Sequence, residues 1–450
     1  MATAPEQKIG NLATSKIAAA MVCEVESQLP LLMHANKTVQ RPFETAGDGD
    51  TMNVIVPEMP VVGDGAWINE GDPVADHNGV MGTKGHELDY NNNAVPVTLR
   101  QRHVAFGIPG ALEFSSIEDM ENLVTKPYGS TLASKIQTEV ANMAMNKASF
   151  TAVLSNSNEF PQVSEAIALL KKARAYGKLY GVVGSSLNGR LAGSGIQYFN
   201  PQGAISDIWK SARLGEYNTA EWFSTADVED LIVPSTSGAA GSEILGAANT
   251  VQAIVKGKKL FTSGTEGDYA WVCIGAVDSD GVITQQLAHV GESFILGTAD
   301  SDGNITAVGV SVADVFGNDT GAAYSFKVLE TKIDGAYLYG KVYNPGYGEA
   351  FNSTAGTVNT TANLHAIKLT GPGTYYRGLI YAQTTLCVAF GRFAKPVNAQ
   401  VGQYSGQNGI TIRTTSAYEV LKDRNVTRWD CLCGANLARP NWAVELLVKA

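Results

Sequence analysis

The sequence predicts an α+β host chain with an antiparallel β module inserted into it, and three observations carry that expectation. Only 17% of the 450 residues are charged and 47 are glycine, a composition suited to a turn-rich β chain whose surface meets other subunits. Helical patterning is concentrated before residue 177. From about 248 to 366 strand-like runs (VQAIVKG, YAWVCIGAV, GVITQQLAHV, ESFILGT, NITAVGVSV, YSFKVLE, AYLYGKVY) recur at roughly ten-residue intervals between turn clusters, the spacing of a compact antiparallel barrel or sandwich.

The length allows two or three domains, and 44% hydrophobic content supplies real cores. A formal net charge of −10 argues against a nucleic-acid reader, which shows a basic domain. It keeps a subunit soluble and names no partner. MATAPEQKIGNLATSKIAAAMVCEV has no basic region followed by a long apolar stretch, so no signal peptide is read. No run of about 18 apolar residues marks a membrane-spanning helix.

Residues 1–37 begin polar and then place Leu12, Ile17, Met21 and Val25 on one helical stripe, which Pro30 stops. Such an arm has too little apolar surface to fold alone and must lie on something else. TMNVIVP (51–57) reads as a strand and AVPVTLRQRHVAFGI (94–108) as its return. The segment between them is too rich in glycine and acid for a helix, and loops of that length usually reach out to bind. Residues 44–89 hold ten acidic residues against one base, Lys84. The segment reads as an acidic extended hairpin with an exposed Trp67.

A short helix is expected at SSIEDMENL (115–123), capped by Ser115 or Ser116. A longer one is expected over 130–148, with Leu132, Ile136, Val140 and Ala144 four apart, Ala133 and Met143 beside them, and Thr138 facing outward. Another is expected over 161–176, with Pro161 in its first turn, Ile167 and Leu170 on its apolar face and Gly177 closing it. Residues 179–247 mix short strands and helices. Residues 367–450 end in strand-like WDCLCGANL and NWAVELLVKA, so the β module sits between two halves of the host and is expected to fold alone.

Candidate chemistry is thin. The cysteines are Cys23, Cys273, Cys387, Cys431 and Cys433. The C-x-C pair has no further ligand nearby for zinc and reads as small core residues on one strand face. DSDG at 278–281 and 300–303 lacks the later acid of a calcium loop and reads as hairpin turns. The serines in GESFILG and VVGSSLNG form no nucleophile elbow. The histidines (His34, His77, His86, His103, His289, His365) are scattered, and no phosphate-binding loop is present. No catalytic, cofactor or metal site is expected.

Three stretches carry a resemblance: EVANMA (139–144), in which Val140, Ala141, Asn142, Met143 and Ala144 correspond; YFNPQ (198–202); and GANLARPNWAVEL (434–446), in which Gly434, Asn436, Arg439 and Pro440 match a G-x-N-x-x-R-P ending. In their order, with the β module between the second and third, they resemble the coat proteins of Salmonella-type short-tailed bacteriophages, a family with a domain inserted into the Hong Kong 97-type capsid fold. The hairpin is longer here, and the insert shares little detectable sequence.

The resemblance implies an N-terminal arm (1–37), an extended loop region (38–100), and a peripheral domain (101–178 and 405–450) around a spine helix. It implies an axial domain (179–247 and 367–404) and an inserted antiparallel β-barrel domain (248–366). It implies a major capsid protein that self-assembles, as hexamers and pentamers, into an icosahedral head enclosing double-stranded DNA. Assembly would occur in the bacterial host cytoplasm, with a scaffolding protein and portal as partners, DNA touched loosely and non-specifically, and no membrane or cofactor involved. Asp64, Trp67, Glu70, Asp72 and Asp76 of the hairpin, with Arg428 and Arg439 of the basic C-terminal segment, are the expected assembly interface. A tail or decoration protein is the nearest alternative. A carbohydrate-active enzyme would need a pair of carboxylates in a cleft.

Overall fold

The computed structural model describes residues 5–37, 51–55, 94–109, 124–155, 159–195, 216–243, 249–254, 258–262, 264–299, 305–315, 317–353, 356–358, 364–394, 400–406, 408–419 and 424–450. Its described part is mixed α+β and rich in strands. The expected hairpin between 56 and 93, the short helix at 115–123, YFNPQ and the second DSDG lie outside these residues.

Helix α1 (Pro5–Ser27) ends before Pro30, which opens the four-residue α2 (Pro30–Met33). Ala18, Met21, Val22, Val25 and Leu29 are buried, so Met21 and Val25 of the expected stripe pack inward; Ile17 is half-buried, and the side chain of Leu12 lies outside the described residues. The arm lies on its own chain. Asn408 N donates to Glu26 Oε1 at 2.8 Å, Tyr381 Oη to Leu31 O at 3.3 Å, and Asn36 N to Leu386 O at 2.7 Å.

Helix α3 (Lys126–Lys147) carries Pro127 in its first turn and buries Leu132, Ala133, Ile136, Val140, Ala141 and Ala144. Gln137 is also buried, donating to Thr225 Oγ1 at 2.5 Å and Asp227 Oδ2 at 2.9 Å. Thr138 does not face solvent freely; its hydroxyl donates to the main-chain oxygen of Asp227 at 3.1 Å. Helix α4 (Glu159–Lys172) stops short of the expected 176. Arg174, not Gly177, first turns left-handed, at φ 57°, and the end is clamped where Trp442 Nε1 donates to Ala173 O at 3.1 Å. Helix α5 (Ser185–Gly195) follows the fully buried strand Leu179–Gly184.

Two large sheets frame the host. The first runs Phe150–Leu154, Ala443–Lys449, Gly373–Ala382, Leu179–Gly184, Ala220–Thr225, Glu216–Tyr217, with Leu231–Val233 also on Gly373–Ala382. It is mixed, with two parallel pairings. The second runs Leu386–Gly391, Arg424–Leu437, Thr411–Glu419, Gln400–Ser405, with Arg100–Pro109 on the far part of Arg424–Leu437. The expected single return strand is therefore two strands. Ala94–Thr98 pairs with Thr51–Ile55, and after Leu99 the chain changes sheet.

At that crossing the backbones approach closely. A Cβ on Gly434 would stand 2.4 Å from Thr98 O, a distance that only glycine avoids.

The described residues between 249 and 368 form small antiparallel sheets. The largest runs Thr265–Glu266, Tyr269–Val277, Tyr337–Tyr343, Glu330–Asp334, with Ile283–Gln286 on the second strand. Among the described residues these sheets are open, so the expected barrel is not closed. DSDG at 278–281 is a turn: Asp278 Oδ1 accepts from Asp280 N and Val282 N, and Gly281 takes φ 79°. The apolar core of this region continues into the host, joining Phe261, Phe294, Phe326 and Val342 to Phe150, Val183, Trp442 and Val444. A second core joins Met21, Val25, Ile136 and Val140 to Tyr381, Leu386 and Trp429.

Candidate assembly surface

Helix α3, the chain around Pro96–Arg102 and the strand Arg424–Leu437 meet around a cleft of about 560 Å³. Pro96, Thr98, Arg100 and Arg102 form one wall, Glu139, Val140, Asn142 and Met143 another, Cys433–Asn436 a third, and Asp268 and Tyr269 close the end beside Lys147. Two of the quoted motifs thus face one space. Lys147 Nζ donates to Asn436 Oδ1 at 2.8 Å across 289 positions of sequence, and Asn436 Nδ2 donates to Pro96 O at 2.5 Å.

The cleft's charges are unevenly matched. Glu139 takes a two-nitrogen contact from Arg102 and sits 3.5 Å from Lys135. Asp268 is held by Lys259 at 2.8 Å. Lys147 is 8% exposed, and its ammonium lies 5.8 and 5.3 Å from the ring centroids of Tyr269 and Tyr343. Burial pushes its pKa down, opposed by the charges of Asp268 and Glu349.

The rest of the closing motif is a hub. Ser149 N donates to Pro440 O at 3.0 Å, and Asn441 Nδ2 donates to Ala313 O at 3.0 Å and Gly348 O at 3.2 Å. Arg439 stacks on Trp442 at 4.6 Å, and burial lowers its pKa. Of the expected interface, Asp64, Trp67, Glu70, Asp72 and Asp76 lie outside the described residues. Arg428 Nε donates to Asp430 Oδ1 at 2.6 Å with a side chain 40% exposed, and Arg413 binds Oδ2 of the same carboxylate at 2.7 Å. Two arginines on one aspartate leave a positive excess on this sheet face. Arg439 is half-buried against a different sheet's end, so the structure does not bring it into that patch.

Sequence reasoning missed the buried charges. Lys327 Nζ is 2.5 Å from Glu445 Oε2 and also donates to Met145 O. Arg377 meets Glu445 Oε1 at 2.7 Å and reaches Asn142 Oδ1 at 3.3 Å. Burial pushes Lys327 down to about 8, against the pull of Glu445. Burial raises the Glu445 carboxyl, but Lys327 and Arg377 outweigh it and hold it below the usual range. A second cluster sets Lys368 Nζ 3.3 Å from Glu292 and 2.8 Å from Ser237 Oγ, which itself donates to Glu292. The ammonium is ion-paired, so the serine–lysine contact is a pin and not a nucleophile with its base. The signal was present: Lys327, Lys368 and Glu445 are single charges inside apolar strand runs.

Cys431 is buried and Cys433 half-buried on one strand. His34 stacks between Tyr180 and Phe223, His289 lies 3.6 Å from Glu292, and His365 contacts Glu243 at 2.7 Å.

No family model matches the chain, and no curated protein matches it. Solved structures show similarity along most of its length. The capsid of Ralstonia phage GP4 gives a TM-score of 0.42 at 8% identity over 93% of this chain and 87% of that one. A Mycobacterium phage Che8 chain gives 0.41 at 8% over 92% and 89%. The virus-like particle from Pyrococcus furiosus gives 0.38 at 8% over 96% and 99%.

Proposed function

We propose that the chain is the major capsid protein of a tailed bacteriophage, of the Salmonella-type coat family with a Hong Kong 97-type fold, and that it builds an icosahedral head around double-stranded DNA. The observation that carries this is the meeting of EVANMA and GANLARP at one cleft, through Lys147 and Asn436. Motifs read separately at the two ends of the chain belong to a single constellation. Arm, loop base and closing strand surround the long helix α3, as a peripheral domain built on a spine requires.

On this reading 1–37 is the arm and 38–100 the loop region. Residues 101–178 with 405–450 are the peripheral domain, 179–247 with 367–404 the axial domain, and 248–366 the inserted β domain. Copies associate as hexamers and pentamers through many modest, partly polar contacts that allow errors to be corrected before closure. A scaffolding protein and portal take part, and DNA is touched without sequence preference. The acidic hairpin crosses to a neighbour, and the Arg413–Arg428 face is one of its landing surfaces. Negative-stain microscopy of the overexpressed chain tests the proposal: closed shells support it, whereas open tubes or small rings indicate a tail component.

A further inference from the structure

The C-x-C pair lies in the Arg424–Leu437 strand, two positions apart and therefore on one face of it. Cys431 is fully buried in the core that holds Ile136 and Val140 of α3. Cys433 is half-buried, packs against the same core and lines the cleft. One thiol is thus dry and the other is reached from the cleft. A hydrogen bond joins them. Arg102 is the cross-strand partner of Cys431, and its guanidinium acts on both sulfurs.

A disulfide does not suit this pair. Same-face neighbours on a strand stand about 6.6 Å apart, two rises of ~3.3 Å, whereas the Cβ atoms of a disulfide stand about 3.5–4.5 Å apart. Two sulfurs in line on either side of one metal ion, at about 2.3 Å each, are about 4.6 Å apart. Side chains tilted toward each other span that distance without moving the strand. Zinc is excluded by ligand number, since it takes four. Among the described residues no three His, Cys, Asp or Glu side chains are placed to hold an ion, and Glu139 is held by Arg102 and Lys135. Two thiolates alone select a soft ion such as copper(I).

We propose that Cys431 and Cys433 form a two-coordinate site for a soft monovalent cation of the copper(I) class. The ion replaces both thiol protons, which leave to water through the cleft, and no electron is transferred. One positive ion on two thiolates carries a net charge of about −1, which the Arg102 guanidinium faces. The apolar core around Cys431 excludes water from one side of the ion. Because the site stands where the closing strand meets α3, an ion bound only by the folded chain stabilises that contact. The inference is independent of the capsid reading.

The test uses the full-length chain, reduced and kept free of oxygen, titrated with copper(I) against a coloured copper(I) chelator. The expected result is one ion per chain drawn from the chelator, two protons released with it, and a raised melting temperature. X-ray absorption at the copper edge should show two sulfur neighbours and no third ligand. Cys431→Ala and Cys433→Ser should each weaken binding roughly a hundredfold or more, as loss of one of two ligands requires. Cys23→Ser, at an exposed position, should leave it unchanged. Cys433→Ser, at the half-buried position, reads the site even where Cys431→Ala fails to fold. Failure to draw copper from the chelator, copper retained after Cys433→Ser, binding lost with Cys23→Ser, or a third ligand in the spectrum overturns the proposal. Each of those results leaves the capsid reading standing.

Discussion

Lys327 Nζ lies 2.5 Å from Glu445 Oε2, and each side chain is 1% exposed. The pair joins the Ser325–Lys327 strand of the β module to the Ala443–Lys449 strand of the host, and Arg377 makes Glu445 the centre of a buried triad. Removing one member of such a set leaves an unpaired charge in a dry site. Glu445→Gln should therefore cost about 3–5 kcal/mol in denaturant unfolding. Lys327→Met added to it should recover a large part of that loss. Equal stability of the single variant and the wild type would mean that water reaches the triad.

The same seam changes what an excised module can do. A 248–366 fragment carries Lys327 without Glu445 and Glu292 without Lys368, and its core ends where Phe150 and Trp442 should be. The fragment should fold cooperatively only when Lys327→Met and Glu292→Gln are both present. Dispersed amide resonances from the unaltered fragment would show that the module does not depend on the host.

Val140→Asp should leave the chain insoluble, because it places a charge on a side chain 7% exposed within the second core. The control is Thr131→Asp, since Thr131 is exposed, whereas Thr138 is bonded to Asp227. Soluble yield after lysis reads both. Gly434→Ala forces a methyl group onto Thr98 O and should lower the melting temperature sharply. Gly189→Ala, in α5 with nothing within 4 Å of the new methyl, should raise stability by roughly 0.5–1 kcal/mol.

Asp430 sets an acid limit. Burial raises its carboxyl, but hydrogen bonds from Arg413, Gln101 and Arg428 outweigh that and hold it below its ordinary 3.8. A carboxylate with a depressed folded value contributes stability that is present above pH 4 and lost as pH falls through the folded value. Stability measured from pH 6 down to pH 2 should therefore fall more steeply in the wild type than in Asp430→Asn.

Much of this was legible from residue order because the strongest signals are local. The period of Leu132, Ile136, Val140 and Ala144 placed α3, and Asp278 with Gly281 placed a hairpin turn. What escaped depends on pairing between distant segments. Leu99 interrupts an unbroken strand pattern because the chain passes there between two sheets, which no local period records. Arg174 ends α4 early because Trp442, far along the chain, caps Ala173. Among the described residues the small sheets of the module have the strand spacing of a barrel but not its closure, since spacing fixes neither register nor edge. Of the expected interface, Arg428 lies on a positive face, whereas Arg439 is taken up by Trp442.

Charge should also govern assembly. Exposed pairs contribute roughly 0–1 kcal/mol each, but a shell repeats every contact. About 1 M salt shortens the screening length to about 3 Å and should slow particle formation measured by light scattering. Replacing residues 62–92 with a short glycine bridge should leave a soluble, folded subunit that forms no stable shells. Normal shells from that deletion would make the hairpin decoration.

The most direct measurement is negative-stain electron microscopy of the full chain overexpressed alone, with sedimentation to count the particles. Closed, roughly isometric shells of uniform wall thickness are the predicted result. A monodisperse monomer, or open tubes and small rings, would contradict the assignment of this chain as a shell-forming coat protein.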